Sequence, residues 1–309
     1  MAERKAVLLE NRGLLRLAGE DLRSFLQGIV SNDVERIAAD RAIWSAFLTP
    51  QGKFLHEFFL AQAESDESGP GLLLDGEAER LDDLKRRLSL YRLRSKVTIE
   101  DAREALAVYA LIGDGALDAL GLGADPGQAC RLGAGRAFVD PRLAALGARA
   151  ILPRGAAEAT LAQAGFESAD VGAYERLRLA QGVPDGSRDL EVEKSILLEN
   201  GFDELHGVDW DKGCYMGQEL TARTRYRALI KKRLLPVAVE GPLPEPGTPL
   251  LRAGKEVGVM RSAREGLGLA LLRLEALEPA DSPILAGEAT VTPSRPAWLR
   301  LDSSAQKAG

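Results

Sequence analysis

Cysteine and histidine are scarce in this 309-residue chain: Cys130, Cys214, His56 and His206 are all there is, with no Cys-x-x-Cys pair. Structural zinc sites and iron–sulfur clusters take about four such ligands, so four scattered residues exclude a resident metal or cluster. A disulfide between two cysteines this far apart is not expected in a reducing compartment. The sequence also lacks any stretch approaching the ~18 uninterrupted apolar residues of a membrane span, which argues against a membrane role. A secretory leader is missing too, because Met1-Ala2-Glu3-Arg4-Lys5 meets Glu10 and Arg12 before an apolar core develops. Together these absences predict a cytoplasmic protein. Nor is there a surplus of positive charge. A formal charge of −6 does not suit general coating of nucleic acid, where Lys and Arg must face phosphates; a local basic patch stays open.

What is present is the composition of an ordinary globular protein, 45% hydrophobic and 28% charged. The length predicts two or three domains. Apolar runs at 7–9, 14–17, 54–60 and 72–74 read as strands, and 97–99 closes that group. Leu22, Phe25, Leu26 and Ile29 stand at i, i+3, i+4 and i+7, one helical stripe behind Asp21. A charged amphipathic helix is predicted over 77–90. A second set follows from Ala105, with strands at 108–112, 137–139 and 150–152 and helices at 156–163 and 171–181. Beyond Arg233 the texture changes to short apolar runs at 257–260, 267–272 and 289–291, punctuated by Gly and Pro, which predicts a small all-β module. The boundaries expected are 1–104 for a first α+β unit, 105–232 for a second and 233–309 for a β-barrel.

One stretch carries chemistry: Asp211-Lys212-Gly213-Cys214-Tyr215-Met216-Gly217-Gln218-Glu219, continuing to Ala222-Arg223. Two glycines flank a cysteine, as where backbone turns tightly or passes close to a ligand. Lys212 stands beside Cys214, and a helix starting here would add its positive end; both favour the thiolate. Glu219 and Arg223 are spaced i, i+4. A free cysteine is as a rule a small buried hydrophobe, and spacing alone leaves that reading open.

Lys-Gly-Cys-Tyr-x-Gly-Gln-Glu resembles the signature of the YgfZ-type, folate-binding branch of the glycine-cleavage T-protein superfamily, which includes mitochondrial iron–sulfur assembly factors. Leu26-Gln27-Gly28-Ile29-Val30-Ser31-Asn32-Asp33-Val34, Thr49-Pro50-Gln51-Gly52-Lys53 and Tyr91-Arg92-Leu93-Arg94-Ser95-Lys96-Val97 are similar to further blocks of that family, and Gly254, Gly258 and Gly268-Leu269-Ala270-Leu271 to its barrel. The resemblance implies an α+β fold of two ferredoxin-like α+β units plus a C-terminal β-barrel around a central folate-sized hole. It implies tetrahydrofolate or a derivative as cofactor, and a role in assembling or repairing iron–sulfur clusters. Iron–sulfur client enzymes or assembly proteins would be the partners, with an indirect link to transfer RNA modification. Cys214 and Lys212 take the catalytic places, and Asn32, Asp33, Glu199, Gly213, Tyr215, Gly217, Gln218, Glu219 and Arg223 the cofactor-binding ones.

Whether the chain is an enzyme stays open. As an enzyme it would be a folate-dependent one-carbon, aminomethyl-type transferase, yet those enzymes carry two aspartates where His56 and Glu57 stand here, and a glutamate where Ala180 stands. Glu199 matches the second folate carboxylate of the transferases, with Leu197 at the place of their proline. A non-catalytic partner-docking module is the other alternative. The basic run Arg223, Arg225, Arg227, Lys231, Lys232 and Arg233, with Tyr226, reads either as an anion or partner contact or as a solvated helix end. His56 reads as a packing residue, and the basic stretch 85–96, with Leu84, Leu88, Leu90 and Leu93, as the wet face of a core-packed element.

Overall fold

The computed structural model describes residues 3–63, 71–227, 230–278 and 280–300. The chain forms two compact units. One comprises Met1–Leu48, Leu55–Tyr174 and His206–Met216, and the other Thr49–Phe54, Glu175–Leu205 and Gly217–Gly309.

The first unit is built on two sheets. Five strands run in the order Ile43–Leu48, Phe54–Gln62, Gly71–Glu77, Arg12–Ala18 and Thr98–Asp101. Six run in the order Glu167–Ala169, Lys5–Leu8, Leu106–Ile112, Ala148–Pro153, Gly135–Val139 and Ala129–Leu132. The sheets do not divide at residue 104. Lys5–Leu8 pairs antiparallel with Leu106–Ile112, Lys5 opposite Ile112, and parallel with Glu167–Ala169. Alternation marks those four residues as a strand but carries nothing about which sheet receives it.

A buried charge network joins these two sheets. Asp75 accepts from Arg12 Nε at 2.7 Å and from Arg149 Nη2 at 2.7 Å, and Arg12 also pairs with Glu57. Arg142 is bonded to Asp140 and to the Tyr174 hydroxyl. The Arg149 guanidinium lies 4.0 Å from the Phe59 ring centroid, with those of Arg142 and Arg12 within 5.4 Å of it. Such ions cost several kcal/mol each to desolvate, and only their mutual pairing makes the burial tolerable.

The second unit holds a closed barrel in the order Lys232–Glu240, Leu267–Arg273, Lys255–Arg264, Pro249–Arg252, Ile284–Ala286 and Ala289–Pro293. Leu235, Val237 and Val239 alternate along the first strand into its core with Leu250, Met260, Ala270 and Val291. Arg178 holds Asp189 at 2.6 Å and Glu175 at 2.9 Å, and the Ser262 hydroxyl donates to Asp189, fastening segment 175–205 to the barrel. The α+β class and the C-terminal barrel stand as expected.

Candidate functional site

The motif passes from one unit to the other between Met216 and Gly217. Its first half, in the first unit, is a loop stapled to segment 28–33. Asp209 closes a turn by accepting from the amides of Asp211 and Lys212, both at 2.8 Å, and its other oxygen pairs with Arg36 at 2.7 Å. The Asp209 amide donates to the Ser31 carbonyl, and the Ser31 hydroxyl donates to the Gly207 carbonyl at 2.6 Å. The Met216 amide donates to the Gly28 carbonyl.

Lys212 adds the staple nearest the cysteine. Its Nζ donates to the carbonyls of Val30 at 2.6 Å and Asn32 at 2.8 Å, 5.2 Å from the Tyr215 ring centroid. Burial pushes its ammonium down to about 8, against the pull of Asp33 and Asp209. Tyr215 is buried, while Gly213 and Cys214 are exposed. An exposed thiol on a pinned loop replaces the buried-hydrophobe alternative.

Of Asn32 and Asp33, expected among the cofactor contacts, Asn32 is part of this loop's anchorage and Asp33 caps the turn Val34–Arg36 beside it. Asn32 is buried, and its Nδ2 donates to the carbonyls of Trp44 and His206, both at 2.7 Å, while its Oδ1 accepts from the Asp33 amide. The Asp33 carboxylate accepts from Gln27 Nε2 at 2.7 Å and from the Glu35 amide. Asn32 therefore has no side-chain N–H left over for a ligand.

The second half of the motif, in the second unit, opens the helix Gln218–Tyr226 behind Gly217, whose φ of 81° suits glycine. The helix starts four residues after Cys214 rather than at it. Glu219 and Arg223 are both exposed and unpaired with each other, and Gln218 is half-buried in the first turn. Gly52, in the Thr49–Lys53 turn, lies so near the helix start that a Cβ on it would come within 2.5 Å of the Gly217 oxygen and 2.6 Å of the Leu220 Cβ. Two separately recognised sequence blocks thus meet here.

Glu199, also in the second unit, sits half-buried in the turn Leu197–Asn200. Burial pushes its carboxyl up, opposed by the charges of Lys232, Lys53 and Arg233, and among the described residues nothing hydrogen-bonds that carboxyl. Of the basic run, Arg223, Arg225, Arg227 and Lys231 are exposed. Arg233 is buried on Glu204 at 2.8 Å and on the Leu198 carbonyl, which removes it from the run; residues 228 and 229 lie outside the described residues.

His56 and Glu57 are structural. His56 Nε2 lies 3.0 Å from Asp83, and burial pushes the imidazole down to about 4. Glu57 is fully buried and accepts from Arg12 and from the Trp44 indole. The sequence reading passed over Asp209, although an aspartate two and three residues ahead of the amides it caps is a recognisable turn pattern.

Residues 231–301 match the family model described as CAF17, C-terminal beta-barrel domain. The chain is 35% identical to the iron–sulfur cluster assembly factor IBA57, mitochondrial, of Homo sapiens, over 87% of this chain and 78% of that one. It is 33% identical to the Mus musculus counterpart over the same shares, and 32% identical to the homologue of Mycosarcoma maydis over 76% and 57%. The crystal structure of the glycine cleavage system aminomethyltransferase T from Bartonella henselae superposes with a TM-score of 0.73 at 15% identity, covering 94% of this chain and 85% of that one, a likeness of fold. The chain belongs to the family of the IBA57-type iron–sulfur cluster assembly factors. The cytoplasmic expectation does not stand, because these relatives are named mitochondrial. That no helix among the described residues is long and apolar enough to cross a membrane does not tell cytosol from organelle.

Proposed function

We propose that this iron–sulfur cluster assembly factor supports the assembly or repair of clusters in client enzymes by offering the Cys214 thiol as a ligand from a rigid loop. The observation that carries the reading is an exposed Cys214 on a loop pinned from both sides by Asp209 and Lys212. Holding the approach of a reacting atom fixed is how a protein lowers the cost of an encounter. The cluster is cargo. On ligation the thiol gives up its proton and its sulfur supplies one of about four ligands, the rest coming from the client or an assembly protein. Lys212 acts by positioning, since its ammonium is spent on the Val30 and Asn32 carbonyls.

Tetrahydrofolate is the cofactor we assign to the second unit, in keeping with the YgfZ-type branch, and the donor chemistry there fits it at one place. The Glu199 carboxyl, half-buried and without a hydrogen-bond partner among the described residues, suits the N–H edge of a pterin. When bound, the cofactor supplies a reduced pterin. An enzyme that modifies transfer RNA belongs among the proposed clients on the same ground. The one-carbon transferase reading finds neither residue at the place of the transferases' aspartate pair free, with Glu57 held by Arg12 and Trp44 and His56 by Asp83.

The test is replacement of the native gene by a Cys214→Ser version, followed by assay of iron–sulfur enzyme activities and of iron-dependent transfer RNA modification. Loss of those activities at normal protein abundance is expected. Full activity would remove Cys214 from the mechanism. Tetrahydrofolate binding to the purified chain, read by fluorescence, tests the cofactor separately.

A further inference from the structure

The helix Leu81–Arg92 buries Leu81, Leu84 and Leu88. The sequence pattern assigns Leu90 and Leu93 to the same core, and the structure places both outside it. Leu90 is 62% exposed, Leu93 85% and Tyr91, whose ring stands edge-on to Phe47 at 5.6 Å, 39%. Leu93 follows the helix with φ 50° and ψ −110°, a conformation that a non-glycine residue enters only at a cost. The backbone is thus strained at the residue whose apolar side chain is turned most fully into water. An open hollow lined by Asp21, Leu93, Arg94 and Ser95 lies beside it.

The chain segment that carries this knob is basic. Between Lys85 and Lys96 there are six cations and no acid, in a chain of net charge −6. Arg86 and Arg87 are bonded to Asp83, Lys96 pairs with Glu20, and Arg92 donates to the Val97 carbonyl. Arg94 is exposed and has no partner among the described residues.

We infer that the knob formed by Leu90, Leu93 and Arg94 docks a partner protein that offers an apolar socket rimmed by carboxylates. A second copy of this chain would set cation against cation across a two-fold interface. A bilayer is the poorer fit because a helix lying on lipid needs a long apolar face, and here that face is buried in the unit's own core. The inference involves neither Cys214 nor folate.

The full chain is titrated with a fluorescent amphipathic peptide that carries leucines along one helical face and glutamates beside them. Saturable binding is expected, weakened about ten-fold or more by Leu90→Ser with Leu93→Ser and, separately, by Arg94→Glu, as for anchors at an interface centre, and weakened by added salt. A peptide with glutamine for glutamate should bind less well. The altered side chains are exposed, so the variants should melt with the wild type. Leu93→Gly, which relieves the backbone, should melt no lower and still bind poorly. Equal affinity of the double serine variant and wild type would overturn the inference. So would binding to phosphatidylglycerol vesicles, or dimerisation, abolished by the same substitutions in place of peptide binding.

Discussion

Lys212 and Asn32 stand 180 residues apart in sequence, and the Lys212 ammonium donates to the Asn32 main-chain oxygen at 2.8 Å. With the companion bond to Val30 at 2.6 Å, this joins the cysteine loop to the segment that follows the first helix. The lysine beside the cysteine thus fixes where the thiol is held, and its charge is turned away to main-chain carbonyls.

Lys212→Met is expected to destabilise the protein by about 1–3 kcal/mol, since it leaves the oxygens of Val30 and Asn32 without their donor in a part-buried place. Urea unfolding measures this. Limited proteolysis should at the same time cut within 206–216 more readily than in the wild type.

Asn32→Ala and Glu199→Gln should separate anchorage from ligand binding. The first loses bonds to the Trp44 and His206 carbonyls and should cost about 2 kcal/mol of stability. The second alters a carboxyl that bonds nothing among the described residues, so stability should stay within about 0.5 kcal/mol while tetrahydrofolate affinity falls. Denaturant melts and fluorescence titrations on the same two proteins check both halves.

Gly52→Ala is expected to cost about 2 kcal/mol or more. Its φ is 80°, and the new Cβ would meet the Gly217 oxygen at 2.5 Å. Amide hydrogen exchange in the helix Gln218–Tyr226 should quicken, because the displaced contact lies at that helix's start.

Acid should weaken the fold through His56. The buried imidazole stays neutral down to about 4, whereas in the unfolded chain it takes a proton near its ordinary value of about 6.5. The unfolded state therefore binds more protons in that window, and stability falls as the pH drops from about 6.5 towards 4, by at most about 3 kcal/mol; above the window His56 contributes no pH dependence. His56→Gln should flatten this part of the profile in melts run across the range.

Much of the architecture is legible in the chain. The helix Val171–Gln181 has the predicted bounds, and the apolar runs 267–272 and 289–291 fall on the barrel strands Leu267–Arg273 and Ala289–Pro293. Periodicity also gives the helix Leu81–Arg92 its core face through Leu84 and Leu88, but it fails one turn later. A spacing rule assumes that the helix continues, and the chain leaves helical geometry at Leu93, which turns that leucine outward. Arg233 shows the opposite failure. In sequence it closes a basic run, yet in space it is buried on Glu204, a residue far outside any local window.

The sequence by itself determined the α+β class and the terminal barrel, and it singled out the block that carries Cys214, because these follow from local periodicity and from an eight-residue pattern. Only the tertiary structure decided that Lys5–Leu8 joins the six-stranded sheet, that Asn32 and Lys212 serve as anchors, and that Glu57 is consumed by Arg12 and Trp44. Each of these depends on which buried donor meets which buried acceptor. A residue's type states only that it must find such a partner on burial, and where the partner stands is set by packing between segments far apart in the chain.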